Sequence, residues 1–156
     1  MIQRPQSVML AIIIILMLAG LFLPNWEKTS ADGLSHAIQN AWTLDYKTGN
    51  QEESKTRIYL AGLMLLTAGL AGYSISRFRN RLLQMKLGFG ITLCIAATLI
   101  FMMMGAREGE AMLDAGKVGK NLSGFYLLFI ALFSNIISNR LIRKDENLVR
   151  SMDRIR

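Results

Sequence analysis

Few residues in this chain have the types and spacing that catalysis needs. His36 is the only histidine and Cys94 the only cysteine. A two-histidine metal site is therefore excluded. A Cys–His nucleophile pair is not expected either, because His36 falls in a polar stretch and Cys94 in an apolar run. Glu108, Glu110 and Asp114 form a close acidic group, able in principle to hold a divalent cation or to work as a carboxylate pair. Arg107, Lys117 and Lys120 stand beside them and read as their counter-charges. Met102, Met103 and Met104 are consecutive, so on a helix they point around the axis instead of converging on a soft metal. No catalytic residue, cofactor or metal is expected, and the chain reads as non-enzymatic.

What the sequence does carry is apolar length and asymmetric charge. Four runs, Ser7–Leu23, Ile58–Ile75, Leu87–Met104 and Leu122–Ile137, contain no Asp, Glu, Lys, Arg or His. At about 1.5 Å of rise per residue, runs of this size span roughly 24–27 Å, near the lower end for a bilayer core, and flanking residues supply the rest. With 52% hydrophobic residues in 156, the chain has room for one transmembrane domain over residues 1–156 and for no second, soluble one. The first run is long for the apolar centre of a signal peptide and is read as a transmembrane helix. The expected fold is all-α: a four-helix transmembrane bundle followed by an amphipathic cytoplasmic helix over 138–156.

Charge sets the expected orientation. Segment 24–57 sums to −1 and segment 105–121 to zero, whereas Arg4, segment 76–86 and the tail from Ser138 contribute +1, +4 and +3. One face thus carries +8 and the other −1. Lys and Arg near helix ends resist translocation, which places the termini and segment 76–86 in the cytoplasm.

Between the runs, Leu34, Ala37, Ile38, Ala41 and Trp42 follow the spacing of one helical face, with Ser30 or Asp32 as a cap. A short interfacial helix is the preferred reading of this loop. The alternative is a hairpin, because Trp42–Tyr46 alternates and Lys47-Thr48-Gly49-Asn50 reads as a turn. Small residues mark two helix-packing stripes: Ala68 and Gly72 on the second run, Gly124, Ala131 and Asn135 on the fourth. A homo-oligomer contact is their alternative use. The absence of ionisable residues within the runs argues against an ion or proton path, and Asn135 is the most expensive of the polar groups left at depth.

The strongest positive signal is cationic. Arg77, Arg79, Arg81 and Lys86 crowd one short connection, and Arg140, Arg143, Lys144, Arg150, Arg154 and Arg156 line the tail. Such residues beside a membrane attract anionic headgroups by about 1 kcal/mol each. Glu146 precedes Arg150 in the favourable i, i+4 order, which indicates a folded helix with a defined partner. The expected partners are anionic lipids on the cytoplasmic side and another membrane protein complex. DNA is not expected, and RNA is disfavoured because basic RNA-binding helices are seldom wedged between membrane spans. The expected role is an accessory or scaffold subunit, with a small transporter or channel, or an anionic-lipid binder, as the alternatives.

Three stretches, 1–7 (MIQRPQS), 80–87 (NRLLQMKL) and 139–156 (NRLIRKDENLVRSMDRIR), together resemble a family of small four-span membrane proteins of the Bacteroidota that carries only a domain-of-unknown-function label. The closing stretch is the most specific. Pro5 departs from the pattern, where a larger apolar residue is expected. The resemblance implies a Gram-negative inner membrane and supplies no activity.

Overall fold

The computed structural model describes residues 5–30, 33–48, 51–78, 80–113 and 118–153, with side chains through Leu148. Its elements in chain order are α1 (Pro5–Gly20), β1 (Trp26–Thr29), β2 (Ser35–Gln39), β3 (Thr43–Thr48), β4 (Gln51–Thr56), α2 (Ile58–Ser76), α3 (Arg81–Met112), β5 (Lys120–Asn121) and α4 (Ser123–Asp153). The fold is therefore α+β, which corrects the all-α expectation.

The four apolar runs do become helices. α1 packs against α2 and α4, and α3 packs against the same two, so the helices close a ring. Leu10, Ile13 and Met17 of α1 recur at helical spacing and meet Leu60, Met64, Ile91, Ile95 and Leu128 in a fully buried core. Three helices, at 58–76, 81–112 and 123–148, are long and apolar enough to cross a membrane, whereas α1 is a shorter apolar helix. α1 stops before the end of its apolar run: the N–H groups of Leu21 and Phe22 turn back to the carbonyls of Leu18 and Ala19, three residues earlier. Pro24 follows and diverts the chain.

The second part of the molecule is a five-stranded antiparallel sheet in the order β4-β3-β2-β1-β5. It replaces the interfacial helix expected over residues 34–42. The apparent helical spacing there is a coincidence, and Leu34 and Trp42 are in fact exposed. In the strand, Ala37 and Gln39 alternate inward and share a buried face with Trp26 and Leu44. The preceding turn is built by Gly33, whose φ of +69° suits glycine. Its N–H donates to the Ser30 carbonyl at 3.1 Å, and the Ser30 N–H donates to Ser35. Asn40 closes the next turn through the Thr43 carbonyl at 2.8 Å. The hairpin reading of 42–50 is correct in its strands: β3 ends at Thr48 and pairs through Thr48↔Gln51 with β4. Asp32, Gly49 and Asn50 lie outside the described residues.

The sheet rests on the end of α3. That helix runs eight residues past its apolar run, where a loop is expected, because the sheet gives its last two turns something to bury. A Cβ on Gly105 would fall 2.6 Å from the Gln39 amide, and one on Gly109 2.5 Å from the Trp26 ring. These two glycines, four apart, let the sheet approach the helix backbone. Three carbonyls at the end of α3 are then satisfied from the sheet. Buried Lys28 donates to Glu110 O at 3.2 Å and Leu113 O at 3.5 Å, and the Tyr46 hydroxyl donates to Met112 O at 3.1 Å.

Among the described residues, Glu108 is paired from the sheet and the start of α2, and not from Arg107 or Lys120, two of its expected counter-charges. Lys55 Nζ donates to it at 2.8 Å and Arg57, at the start of α2, donates to its other oxygen. Glu110 accepts from the Gly119 N–H at 3.1 Å. Asp114 and Lys117 lie outside the described residues.

Candidate functional site

The end of the molecule opposite the sheet gathers the basic residues. α2 closes with Arg77, whose N–H bonds the Tyr73 carbonyl and whose guanidinium lies 5.4 Å over the Tyr73 ring. α3 opens at an Asn80 cap, the side-chain oxygen accepting from the Leu83 N–H at 3.0 Å. The turn between them is thus short and fixed at both shoulders. α4 continues without a break from the bundle to Asp153, so the tail is an extension of the fourth helix.

One contact joins the turn to the tail. Arg81, half-buried, donates Nη1 to the carbonyl of Asp145 at 2.7 Å. Ile142, only 1% exposed, anchors the inward side of the same helical segment. Arg140, Arg143, Lys144, Asn147 and Leu148 then line a shallow concavity of about 420 Å³. Their spacing of three and four defines one helix face. Leu148 is 55% exposed and belongs to this cationic face, whereas Ile142 is turned inward. Arg77 and Lys86 are exposed at the same end. Arg79, Arg154 and Arg156, and the side chain of Arg150, lie outside the described residues.

The expected packing residues divide. Ala68 and Ala131 are in the core, as a helix-packing role requires. Gly72 has ordinary room, since a Cβ there would meet only Ile14 Cδ1 at 3.8 Å. Gly124 faces the link between α1 and β1 instead of a helix: a Cβ would lie 2.2 Å from Asn25 Oδ1 and 2.8 Å from Pro24 O. Asn135 bridges helices, donating to Gly88 O at 2.9 Å and Thr92 Oγ1 at 2.8 Å. Thr67, Thr98 and Ser134 instead bond carbonyls four residues back on their own helices.

Sequence reasoning missed Gln6, Ser74, Gln84, Gly88 and Asn139, all toward the basic end of the helix ring. The signal available was the series Gln84, Gly88, Thr92 at intervals of four along α3. It also missed the outer face of the sheet, where His36, Asn40, Asp45, Lys47 and Glu52 help line a concavity of about 580 Å³. The charges there are largely engaged: Asp45 accepts from Thr43 and Ser54 hydroxyls at 2.9 and 2.6 Å, and Lys47 pairs with Glu52. The Lys47 ammonium holds the Glu52 carboxyl below its ordinary range. His36 is a polar-face residue of β2.

With both ends described, the chain can be compared with known protein families. A family described as "Domain of unknown function (DUF4293)" matches residues 2–155. The chain belongs to that family. The match takes in the helices, the sheet and nearly all of the three stretches that carry the sequence resemblance. No curated protein matches the chain.

The Arg81–Asp145 contact yields a direct expectation. Arg81→Gln removes the tie between turn and tail, and tryptic cleavage after Arg143 and Lys144 in detergent is expected to accelerate several-fold with no loss of helix content. Unchanged cleavage would mean that Ile142 alone holds the tail.

Proposed function

We propose that this protein is a non-enzymatic accessory or scaffold subunit of a bacterial inner-membrane complex, crossing the membrane four times with both termini in the cytoplasm and docking through its basic end. The observation that carries the reading is the Arg81–Asp145 hydrogen bond. It makes one surface of two segments that are 64 residues apart in sequence. Arg140, Arg143 and Lys144 project from that surface, whereas Asp145 and Glu146 beside them are half-buried. The charge offered outward is therefore more positive than the tail's composition alone provides. Acidic surfaces of a neighbouring subunit and anionic headgroups meet the same field, at about 1 kcal/mol per cation near the membrane.

Two changes test this. Deleting Asn147–Arg156, or reversing Arg140, Arg143 and Lys144 together to glutamate, is expected to leave the protein inserted and monodisperse while releasing a membrane complex that co-purifies with the full-length chain in mild detergent. Release by the triple reversal is expected to be more complete in high salt, because screening weakens what remains. Retention of every partner by both variants contradicts the scaffold reading. Loss of bound anionic lipid with no protein partner at any stage favours lipid binding instead.

A further inference from the structure

Just inside the basic end, every helix of the ring contributes a buried polar side chain to a polar layer about two helical turns deep. Gln6 on α1 is 2% exposed; Ser74 on α2, Gln84 on α3 and Asn135 on α4 are 0% exposed. Hydrogen bonds tie them to one another within about two helical turns of that end. Gln84 Nε2 donates to Ser74 O at 2.9 Å, joining α3 to α2. Asn135 joins α4 to α3 through Gly88 and Thr92, and the Ser138 hydroxyl joins α4 to α1 through Gln6 O at 3.4 Å. Asn139 reaches the same place, because a Cβ on Gly88 would fall 1.9 Å from its Oδ1.

Five atoms of this layer are buried with no hydrogen-bond partner among the described residues: Gln6 Nε2, Ser74 Oγ, Gln84 Oε1, Asn135 Oδ1 and Asn139 Oδ1. The amide orientations of Gln84 and Asn135 are fixed, since each already spends its nitrogen on a carbonyl. Their oxygens are true acceptors facing the interior. An unpartnered buried polar group costs about 1–3 kcal/mol. Five together are more than a marginally stable chain sustains. The layer therefore calls for small species that donate to the amide oxygens and accept from Gln6 Nε2.

We infer that this layer is a binding site for ordered water, a hydrated chamber within the helix ring that ends on the apolar core. A metal cation fits the acceptors but not the charge: no carboxylate is among the described residues of the layer, and Arg77 and Arg81 stand at the same end. Water is neutral, supplies two donors and two acceptors, and is the usual partner of such groups in protein interiors. Beyond Asn135 the interior turns to Leu10, Ile13, Ile91, Ile95 and Leu128, so the water stops there. This inference is independent of what docks on the basic end.

A thiol reacts as its thiolate, which forms far more readily beside water than in an apolar core. In a Cys94→Ala background, Ser74→Cys and Ala71→Cys place thiols about one turn apart on α2, one in the layer and one in the core. Reaction with methyl methanethiosulfonate, small and neutral enough to reach both through lipid, is expected to be at least fivefold faster at position 74. A smaller ratio overturns the inference. A high-resolution structure of the unmodified protein gives a second reading that depends on no variant. Solvent density within hydrogen-bond distance of Gln84 Oε1 and Asn135 Oδ1 supports the chamber, and direct pairing of those amides with protein groups overturns it.

Discussion

Gly124→Leu is expected to destabilise the protein at or above the upper end of the roughly 1–3 kcal/mol typical of overpacking, read as a lowered unfolding midpoint in detergent. The magnitude follows from what a side chain there would strike. Two of the three nearest atoms are backbone carbonyls, Pro24 O at 2.8 Å and Leu23 O at 3.0 Å, which cannot rotate away as a side chain can. The Gly124 N–H also donates to Pro24 O at 3.0 Å, so the same displacement breaks a hydrogen bond. Gly72→Ala is the matched control. Its added methyl would meet only the tip of Ile14, and the midpoint is expected to hold within about 0.5 kcal/mol. Equal effects at the two positions would contradict the packing described for α1, β1 and α4.

Trp26→Ala is expected to cost about 3–5 kcal/mol, the range for emptying a large buried aromatic site, and to act on the sheet before the helices. Trp26 is 3% exposed, packed with Ala37, Leu44 and Leu113, and closely approached by Gly109 and Gly119. The helix ring has its own apolar core, in which Trp26 takes no part. The sheet should therefore open as a local unit. The emission of Trp42, 41% exposed and bonded through Nε1 to Leu21 O at 2.9 Å, reports that opening. Loss of the folded Trp42 signal at lower denaturant than loss of helical circular dichroism is the expected result. Coincident loss of both would mean that sheet and helices are one cooperative unit.

How much of this was legible in the sequence depends on where the apolar pattern was continuous. The four helices announce themselves because none of the runs is interrupted by charge. The sheet does not, for a physical reason visible strand by strand. β4 is Gln-Glu-Glu-Ser-Lys-Thr and wholly exposed, so it has no apolar face to detect. β2 buries Ala37 and Gln39, too small or too polar to register as an alternating core strand. Asp32-Gly33 was the available turn signal, and it competes with a capping role for Asp32. The last two turns of α3 were hidden by Arg107, Glu108 and Glu110, which end an apolar run without ending a helix. Gly105 and Gly109, which seat the sheet, lie just beyond that apparent end.

At the basic end the charges were legible and their arrangement was not. Composition locates Arg81 and the tail cations, but only the fold brings Arg81 to the Asp145 carbonyl and turns Leu148 toward Arg143 and Lys144. Asn135 stood out as an expensive residue to bury. Gln84 did not, because it sits two residues before Lys86 in sequence and reads as part of a solvated turn.

The proposed role requires the sheet and the basic end to face opposite sides of the membrane, with the basic end in the cytoplasm. Thr48 and Asn147 are exposed at the two ends. Single cysteines at these positions, in a Cys94→Ala background, can be challenged with a membrane-impermeant maleimide in intact spheroplasts. Labelling of Thr48→Cys at once, and of Asn147→Cys only after permeabilisation, is the predicted result. Labelling of both before permeabilisation, or of Asn147→Cys alone, would contradict it.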